Sequence, residues 1–213
     1  MHKSSLWLNL LRKNVMIVLF QNPETIFRER CSFQRNVISD LLVRSREMTL
    51  DIFTISLLIS ILLCSLVAGL LFGFAVVVMP GIAKLSDREF LMSFKNMDGI
   101  IQNNQPVFMF IWLGSIVAII ATTILGFLNL VTSENNLLWL ASSFYLIGVQ
   151  LTTARINIPL NNELQNMNLF TLEESELAMF RLKFDKQWNR WNRFRCFNAI
   201  ISVSIMLYLL SQL

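Results

Sequence analysis

Four long stretches without a charged residue constrain the fold of this chain more than any other feature. They cover residues 52–79, 106–131, 137–154 and 196–213. A helix needs about 20 apolar residues to cross a bilayer. Only 15% of the residues are charged, whereas a soluble domain carries about 25%, so a soluble core is a poor explanation for these stretches. The sequence therefore predicts an all-α fold, a four-helix transmembrane bundle whose spans have about these bounds.

Residues 1–47 differ from the rest because they are basic and contain no stretch long enough to span a membrane. They carry eight Lys and Arg residues, and Arg12 and Lys13 interrupt the only candidate for a signal-peptide core. Met48 leads directly into the first span. We expect 1–47 to be an N-terminal extension, poorly ordered or an artefact of the assigned start site, and 48–213 to be the membrane domain. The alternative is a basic arm that lies on a membrane surface.

The connection between the first two spans is expected to form a short helix. Ser86 and Glu89 have the spacing of a capping box, which marks a helix start. Phe90, Phe94 and Ile101 then fall on one helical face together with Met97. The pattern predicts an amphipathic connecting helix that lies at the interface or packs on the bundle.

The connection between the third and fourth spans is the longest. Pro159 is expected to end the third helix, since the residue before a proline avoids helical geometry. A second capping pattern at 171–174 is followed by no helix breaker up to the C-terminus. The sequence therefore predicts a long cytoplasmic extension of the fourth helix, which enters the membrane near Cys196.

Charge distribution indicates topology. Lys and Arg number three in 81–105 and seven in 155–195, but none occurs in 132–136. For a chain that starts at Met48, the positive-inside rule places both long connections in the cytoplasm. The net charge of +4 is then a sign of topology, and no nucleic-acid partner is expected. The predicted location is a multi-pass position in a membrane, the plasma (inner) membrane if the cell is bacterial.

The sequence contains no pattern typical of a metal or cofactor site. Its three cysteines, Cys31, Cys64 and Cys196, are scattered, and His2 is the only histidine. No phosphate-binding loop, dinucleotide fingerprint or zinc-binding motif occurs. We therefore expect neither a metal nor a cofactor.

One face of the predicted last helix combines aromatic, amide and cationic side chains. Trp188, Trp191, Asn192 and Arg195 have the spacing i, i+3, i+4, i+7 and share this face. The same face continues back to Leu177, so it follows an apolar stripe rather than the solvent side. The alternative is an interfacial aromatic belt with an arginine that reaches the headgroups.

Three motifs in order along residues 48–213 resemble the anthrone oxygenase-like family of small four-helix membrane proteins. The first span carries LVAGLLFGFA at 66–75 and VMP at 78–80, which is similar to the family's first-helix signature. NIPLN at 157–161 resembles its Asn-x-Pro-Leu-Asn motif, and WNRWNRFR at 188–195 resembles its Trp-x-x-Trp-Asn-x-x-Arg motif. KNMD at 95–98 matches only loosely the Asn-Arg pair often found in the family's middle connection.

The resemblance implies a function. Some fungal members of the family oxidise anthrones to anthraquinones with molecular oxygen, whereas most bacterial members have no assigned reaction. An anthrone is a carbon acid whose anion reduces oxygen directly, so the protein needs to bind a flat aromatic and stabilise its oxyanion. The residues expected to act in catalysis are Arg195, Asn192 and Asn161. Those expected to bind the substrate are Asn157, Trp188 and Trp191.

The alternative function is non-enzymatic. A four-span protein of this kind would bind a lipid or another hydrophobic small molecule, or assist a membrane complex, with the bilayer as its main partner. Asn157 and Asn161 would then satisfy backbone groups around Pro159. No general base stands out, because Glu163 is interpreted as a solvated loop residue. The sequence does not indicate an oligomeric state.

Overall fold

The computed structural model describes residues 32–34, 52–130 and 132–213 of the chain. The chain divides into two units, Met1–Met48 and Thr49–Leu213, and everything below concerns the second unit. The predicted N-terminal extension at 1–47 lies outside the described residues except for residues 32–34, so its character stays a prediction.

Five helices follow one another in the described part of the second unit. They are α1 (Ile52–Ile82), α2 (Asp87–Gln102), α3 (Pro106–Asn129), α4 (Thr132–Gln165) and α5 (Glu174–Leu210). All except α2 are long and apolar enough to cross a membrane. The predicted all-α, four-helix transmembrane bundle is therefore confirmed.

The last two spanning helices are longer than the charge-free stretches that predicted them. Helix α4 has 34 residues and α5 has 37, so each continues well beyond the apolar segment. The polar residues 132–136, expected to connect two spans, instead form the start of α4. Helices α3 and α4 still pack as a hairpin, because the hydroxyls of Thr123 and Ser142 lie 2.6 Å apart.

Pro159 does not end the third spanning helix, and the prediction that it would was wrong. The helix passes through it to Gln165, and a π-helical turn at Thr153–Asn157 comes immediately before it. Pro80 in α1 is likewise preceded by a π-helical turn, Phe74–Val78. A proline lacks an N–H group and clashes with the carbonyl four residues earlier. In spanning helices, local π geometry accommodates that defect, so both helices continue.

The two predicted capping boxes have different outcomes. Ser86 and Glu89 form one at the start of α2, as expected. At the start of α5 the cap is Glu173, paired with Glu176, and not Thr171. The Thr171 hydroxyl instead donates to the Asn168 carbonyl at 3.1 Å, which places Thr171 in the turn that precedes the helix.

The long connections meet at one end of the bundle, called here the polar end: α2, residues 166–173 and the first turns of α5. Arg88 donates to the carbonyls of Leu169 and Leu172, and Arg181 binds Asp87 at 2.7 Å. At the opposite end, called the far half, hydroxyls join the helices. Thr122 of α3, for example, bonds Ser60 of α1 at 2.8 Å. The candidate site lies between the polar end and the far half.

Candidate functional site

A cavity of about 430 Å³ lies between the far half and the polar end, within the size range of small-molecule sites. All five helices line it. Its apolar wall consists of Leu70, Leu71, Phe74, Phe94, Ile101, Phe108, Met109, Trp112, Leu113, Ile158 and Trp188. Its polar wall consists of Asp98, Gln102, Asn104, Thr153, Asn157, Asn161, Asn162, Asn192 and Arg195. Five of the six residues predicted to form a site are therefore brought together.

Arg195 is a buried cation in the wall of this cavity. Only 4% of its surface is exposed. Its Nη1 donates to the Thr153 hydroxyl and its Nη2 to the Asn192 side-chain oxygen, each at 3.0 Å. Within the described residues it forms no ion pair, and its Nε has no hydrogen-bond partner. A buried charge without a counter-charge is unfavourable, so this arrangement favours an anionic or oxyanionic occupant of the cavity.

Asn192 holds the guanidinium of Arg195 in place. Its side-chain oxygen accepts from Arg195, and its Nδ2 donates to the Leu71 carbonyl of α1 at 3.0 Å. Both ends of this amide are therefore used within the protein. The sequence predicted Asn192 as a direct donor to a substrate oxyanion, and this geometry gives it a supporting position instead.

Asn157, unlike Asn192, has a side-chain amide without hydrogen bonds in the described residues. It is 2% exposed and lines the cavity, yet neither its Oδ1 nor its Nδ2 has a partner among the described residues. Buried amides in native proteins are nearly always hydrogen-bonded. The NH₂ group and the side-chain oxygen of Asn157 have no partner among the described residues. The suggestion that Asn157 caps the backbone around Pro159 has no support in this geometry, because its side chain makes no such bond.

Asn161 belongs to a chain of hydrogen bonds along the cavity wall. Its Oδ1 accepts from the Trp188 indole at 3.0 Å, and its Nδ2 donates to Asp98 at 2.7 Å. Since each end of its amide is engaged, Asn161 orients Trp188. The guanidinium carbon of Arg195 in turn lies 5.8 Å from the centre of the Trp188 ring, within cation–π range.

Asp98 is the functional candidate that the sequence interpretation missed. It is buried and is the only carboxylate that lines the cavity in the described part of the chain. Besides Asn161, it accepts from Gln102 at 2.8 Å and from Gln165 at 2.9 Å. A signal was present, because an acid four residues before a glutamine on the connecting helix is suited to an i, i+4 bond. The buried stripe of α2 includes Asp98, whereas Met97 is only half-buried.

Thr153 was also overlooked, although the spacing of polar residues in α4 pointed to it. Thr153, Asn157 and Asn161 recur every four residues along α4. In a regular α-helix such residues drift around the axis, but the π-helical turn at Thr153–Asn157 widens the turn. All three consequently line the same cavity.

Trp188 and Trp191 lie in different surroundings. Trp188 is buried, and its ring centre is 5.0 Å from that of Phe94 and 5.6 Å from that of Phe74. Trp191 does not line the cavity; it is half-buried and packs against Phe194 with ring centres 5.6 Å apart. Its predicted part in substrate binding thus has no geometric support. The aromatic residues that line the cavity are Phe74, Phe94, Phe108, Trp112 and Trp188.

Glu163, which the sequence analysis interprets as a solvated residue and not as a general base, does not line the cavity. It is an exposed residue of α4 that pairs with Lys183 at 3.1 Å. The described residues also contain no group of three or more His, Cys, Asp or Glu side chains placed to hold a metal ion.

Comparison with known proteins gives one finding. Residues 108–205 match the family model described as anthrone oxygenase. The match covers α3, α4 and most of α5, and it includes the second and third sequence motifs. It supports the anthrone oxygenase-like family that those motifs predict. No curated protein and no solved structure gives a significant match to the chain.

Proposed function

We propose, from the premise that this chain is anthrone oxygenase-like, that it is a cofactor-independent oxygenase of a hydrophobic aromatic substrate. The observation that carries the proposal is Arg195, a buried cation that lines the cavity, with no acidic partner in the described residues and no hydrogen-bond partner there for its Nε. A purely structural arginine in this position would be paired or exposed. A substrate oxyanion supplies the missing counter-charge.

The reaction needs little chemistry from the protein. A CH₂ group flanked by aromatic rings and activated by a carbonyl loses a proton, and the resulting anion transfers electrons to molecular oxygen. Over the whole reaction the carbon loses two hydrogens, one oxygen atom becomes its carbonyl, and the other leaves as water. The protein's part is to favour the anion and to hold it where oxygen reaches it.

The residues divide into direct and positioning roles. Arg195 and Asn157 have free donors and would contact the substrate oxygen, while Trp188 offers a flat face for its rings. Asn192, Thr153, Asn161 and Asp98 would act through these, because their hydrogen bonds are already made within the protein. In this proposal Asn157 would contact the substrate oxygen together with Arg195. Asn192 and Asn161 would position other residues and would not contact the substrate.

A lipid environment suits a hydrophobic aromatic substrate. Four spanning helices are consistent with a multi-pass integral membrane protein in contact with lipid, and an apolar aromatic concentrates in that phase. In a bacterial cell the membrane concerned would be the plasma (inner) membrane, with both long connections in the cytoplasm. The proposed partners are the bilayer, the aromatic substrate and molecular oxygen.

The test is oxygen consumption by the detergent-purified protein given an anthrone. We expect uptake above the spontaneous rate, and we expect its loss in Arg195→Ala and in Arg195→Lys, since a lysine lacks the planar fork that Thr153 and Asn192 hold. Arg190→Ala is the matched control, because Arg190 is an exposed arginine of the same helix outside the cavity.

Two results would contradict the proposal. Uptake equal in the wild type and in Arg195→Ala would remove Arg195 from the site. No uptake by a folded wild-type protein, together with a lipid or aromatic molecule that co-purifies with it and is lost in Arg195→Ala, would favour the alternative, a non-enzymatic binding protein. The free amide of Asn157 and the size of the cavity support that alternative equally.

A further inference from the structure

The cavity reaches the surface of the molecule on two sides of different chemistry. Three exposed lining residues are polar: Gln102, Asn104 and Asn162. The other three are apolar: Leu70 of α1 is 37% exposed, Leu113 of α3 is 52% exposed, and Ile158 of α4, one turn before Asn162, is 46% exposed. One opening therefore suits water, and the other suits lipid.

The exposed leucines on the apolar side belong to α1 and α3. In the far half they are joined, as Ser56 and Ser60 of α1 both bond the Thr122 hydroxyl, at 2.7 and 2.8 Å. Nearer the polar end, Leu63 still packs on Gly114, with its Cδ1 3.4 Å from where a Cβ would stand. Beyond this contact, both helices contribute to the cavity wall: α1 through Leu70, Leu71 and Phe74, and α3 through Phe108, Met109 and Trp112.

This gap lies within the apolar belt of the bundle and not at its edge. On α1, Val76 and Val77 are closer to the polar end than Leu70, and both are exposed. On α3, Val107 and Phe110 are closer to the polar end than Leu113, and both are exposed as well. Exposed apolar side chains thus continue past the gap on both helices, which is the pattern of a surface covered by lipid.

We infer that the gap between Leu70 and Leu113 is a lateral portal through which a lipophilic aromatic molecule enters the cavity from the bilayer. The inference rests on the proposed site, to which it adds the route of entry. The molecule passes between the two leucines with its polar group leading, and that group meets Asn157 and Arg195. The polar opening at the other side then serves the water that the reaction releases.

The test measures access to the cavity without requiring turnover. The full-length chain, with Cys31, Cys64 and Cys196 replaced by serine or alanine, carries Asn157→Cys as a thiol inside the cavity. It is reconstituted in lipid vesicles and treated with an uncharged, membrane-soluble aromatic maleimide. We expect labelling, and we expect Leu113→Trp to slow it about ten-fold or more, because the indole narrows the gap and entry then limits the rate.

Two further variants control this experiment. Val117→Trp adds the same indole one turn along α3, at a residue that is 66% exposed and does not line the cavity, and it should leave the rate unchanged. Asn162→Trp narrows the polar opening and should also leave it unchanged. Should Leu113→Trp unfold, which a thermal melt reveals, Leu70→Trp narrows the same gap from the facing helix.

Three outcomes would overturn the portal. The first is an unchanged labelling rate in folded Leu113→Trp or Leu70→Trp. The second is slower labelling in Asn162→Trp alone. The third is a thiol that reacts only after unfolding. None of them bears on oxygen uptake by the unlabelled wild type, which tests the proposed function separately. Conversely, slowed labelling in a protein without oxygen uptake would leave the portal standing and remove the oxygenase.

Discussion

The two halves of the bundle differ in the kind of buried polar side chain that they hold. In the far half, hydroxyls pair with each other: Thr123 with Ser142 at 2.6 Å, and Tyr145 with Ser115 at 2.7 Å. Around the cavity, Asn157 and the Nε of Arg195 have no partner among the described residues. The same helices supply both halves, so composition alone does not explain the difference.

Side-chain length and backbone geometry do explain it. Serine and threonine are short, so their hydroxyls meet only where helices approach closely, and they act as polar links in a lipid-exposed bundle. Arginine and asparagine reach further and leave space between helices. Two π-helical turns, Phe74–Val78 and Thr153–Asn157, adjoin that space, as such turns often do at functional sites. Buried polar atoms without a partner also occur outside the cavity, at Asn135 Oδ1 and Gln150 Nε2. What distinguishes Asn157 and Arg195 is that both residues line a cavity large enough for a ligand.

The largest expected effect comes from Arg195→Met, which removes the unpaired charge from the cavity. Turnover should fall by about 10²–10³-fold, the usual loss for one oxyanion donor. The melting temperature should stay equal or rise, because an apolar residue of similar length relieves the buried charge. Oxygen uptake and thermal unfolding of the same preparation measure both effects. A fall in melting temperature with turnover retained would assign Arg195 to the fold, and Arg193→Met, at an exposed position of the same helix, controls for the loss of charge.

The next effect separates two asparagines of the same cavity. Asn157→Ala breaks no hydrogen bond in the described residues, so stability should hold while kcat/KM falls about tenfold, the worth of one lost hydrogen bond to substrate. Asn192→Ala breaks bonds to Leu71 and Arg195 and should lower stability by about 1–3 kcal/mol as well. Chemical unfolding in micelles and steady-state kinetics compare the pair. Equal losses of stability in the two variants would contradict the view that the Asn157 amide is unpaired while the Asn192 amide is hydrogen-bonded.

The fold was largely predictable from the sequence because lipid imposes a simple rule. A charge-free stretch of sufficient length must form a helix, whatever packs against it, and four such stretches gave four helices. The errors occurred where that rule does not act. The start of α4 lies in the polar segment 132–136, and the passage of α4 through Pro159 depends on a π-helical turn that sequence patterns do not specify. The long polar extension of the last helix, by contrast, agrees with the prediction, since α5 begins at Glu174.

The site was predictable in part, for a different reason. Helical spacing placed Asn192 and Arg195 on one face of α5, but it also placed Trp191 there, and Trp191 packs on Phe194 outside the cavity. Which amide is free and which is engaged depends on contacts between distant segments, such as the bond from Asn192 to the Leu71 carbonyl. Asp98 was missed for the same reason, since its partner Asn161 lies on another helix.

A smaller effect tests the packing of α4 against α5 beside the far half. A Cβ on Gly148 would lie 2.7 Å from the Asn198 Cβ, closer than two carbons approach without movement. Gly148→Ala should therefore lower stability by about 1–3 kcal/mol through overpacking, with little change at the cavity. Gly69→Ala is the matched control, because no described atom lies within 4 Å of its Cβ position, and alanine favours the helix there. In micelles, the free energy of unfolding should fall for Gly148→Ala and rise for Gly69→Ala. A lower free energy of unfolding in both variants would contradict the packing argument.

The smallest effect concerns the cap of α2, the helix that brings Asp98 to the cavity. Glu89 accepts hydrogen bonds from the Ser86 hydroxyl at 2.7 Å and the Ser86 backbone N–H at 3.1 Å, and these bonds lower the pKa of Glu89 below its usual value of 4.5. A lowered pKa in the folded state means that the carboxylate adds stability above about pH 4.5, and that this contribution is lost as pH falls through the lowered pKa. Thermal melts of wild type and Glu89→Ala should accordingly differ slightly at pH 7 and converge in acid. The difference should be small because Glu89 is exposed and water screens it. A difference that stays constant from pH 7 to about pH 3, below the usual range of a glutamate, would mean that the charged cap contributes nothing and that α2 is held over the cavity by its buried face alone.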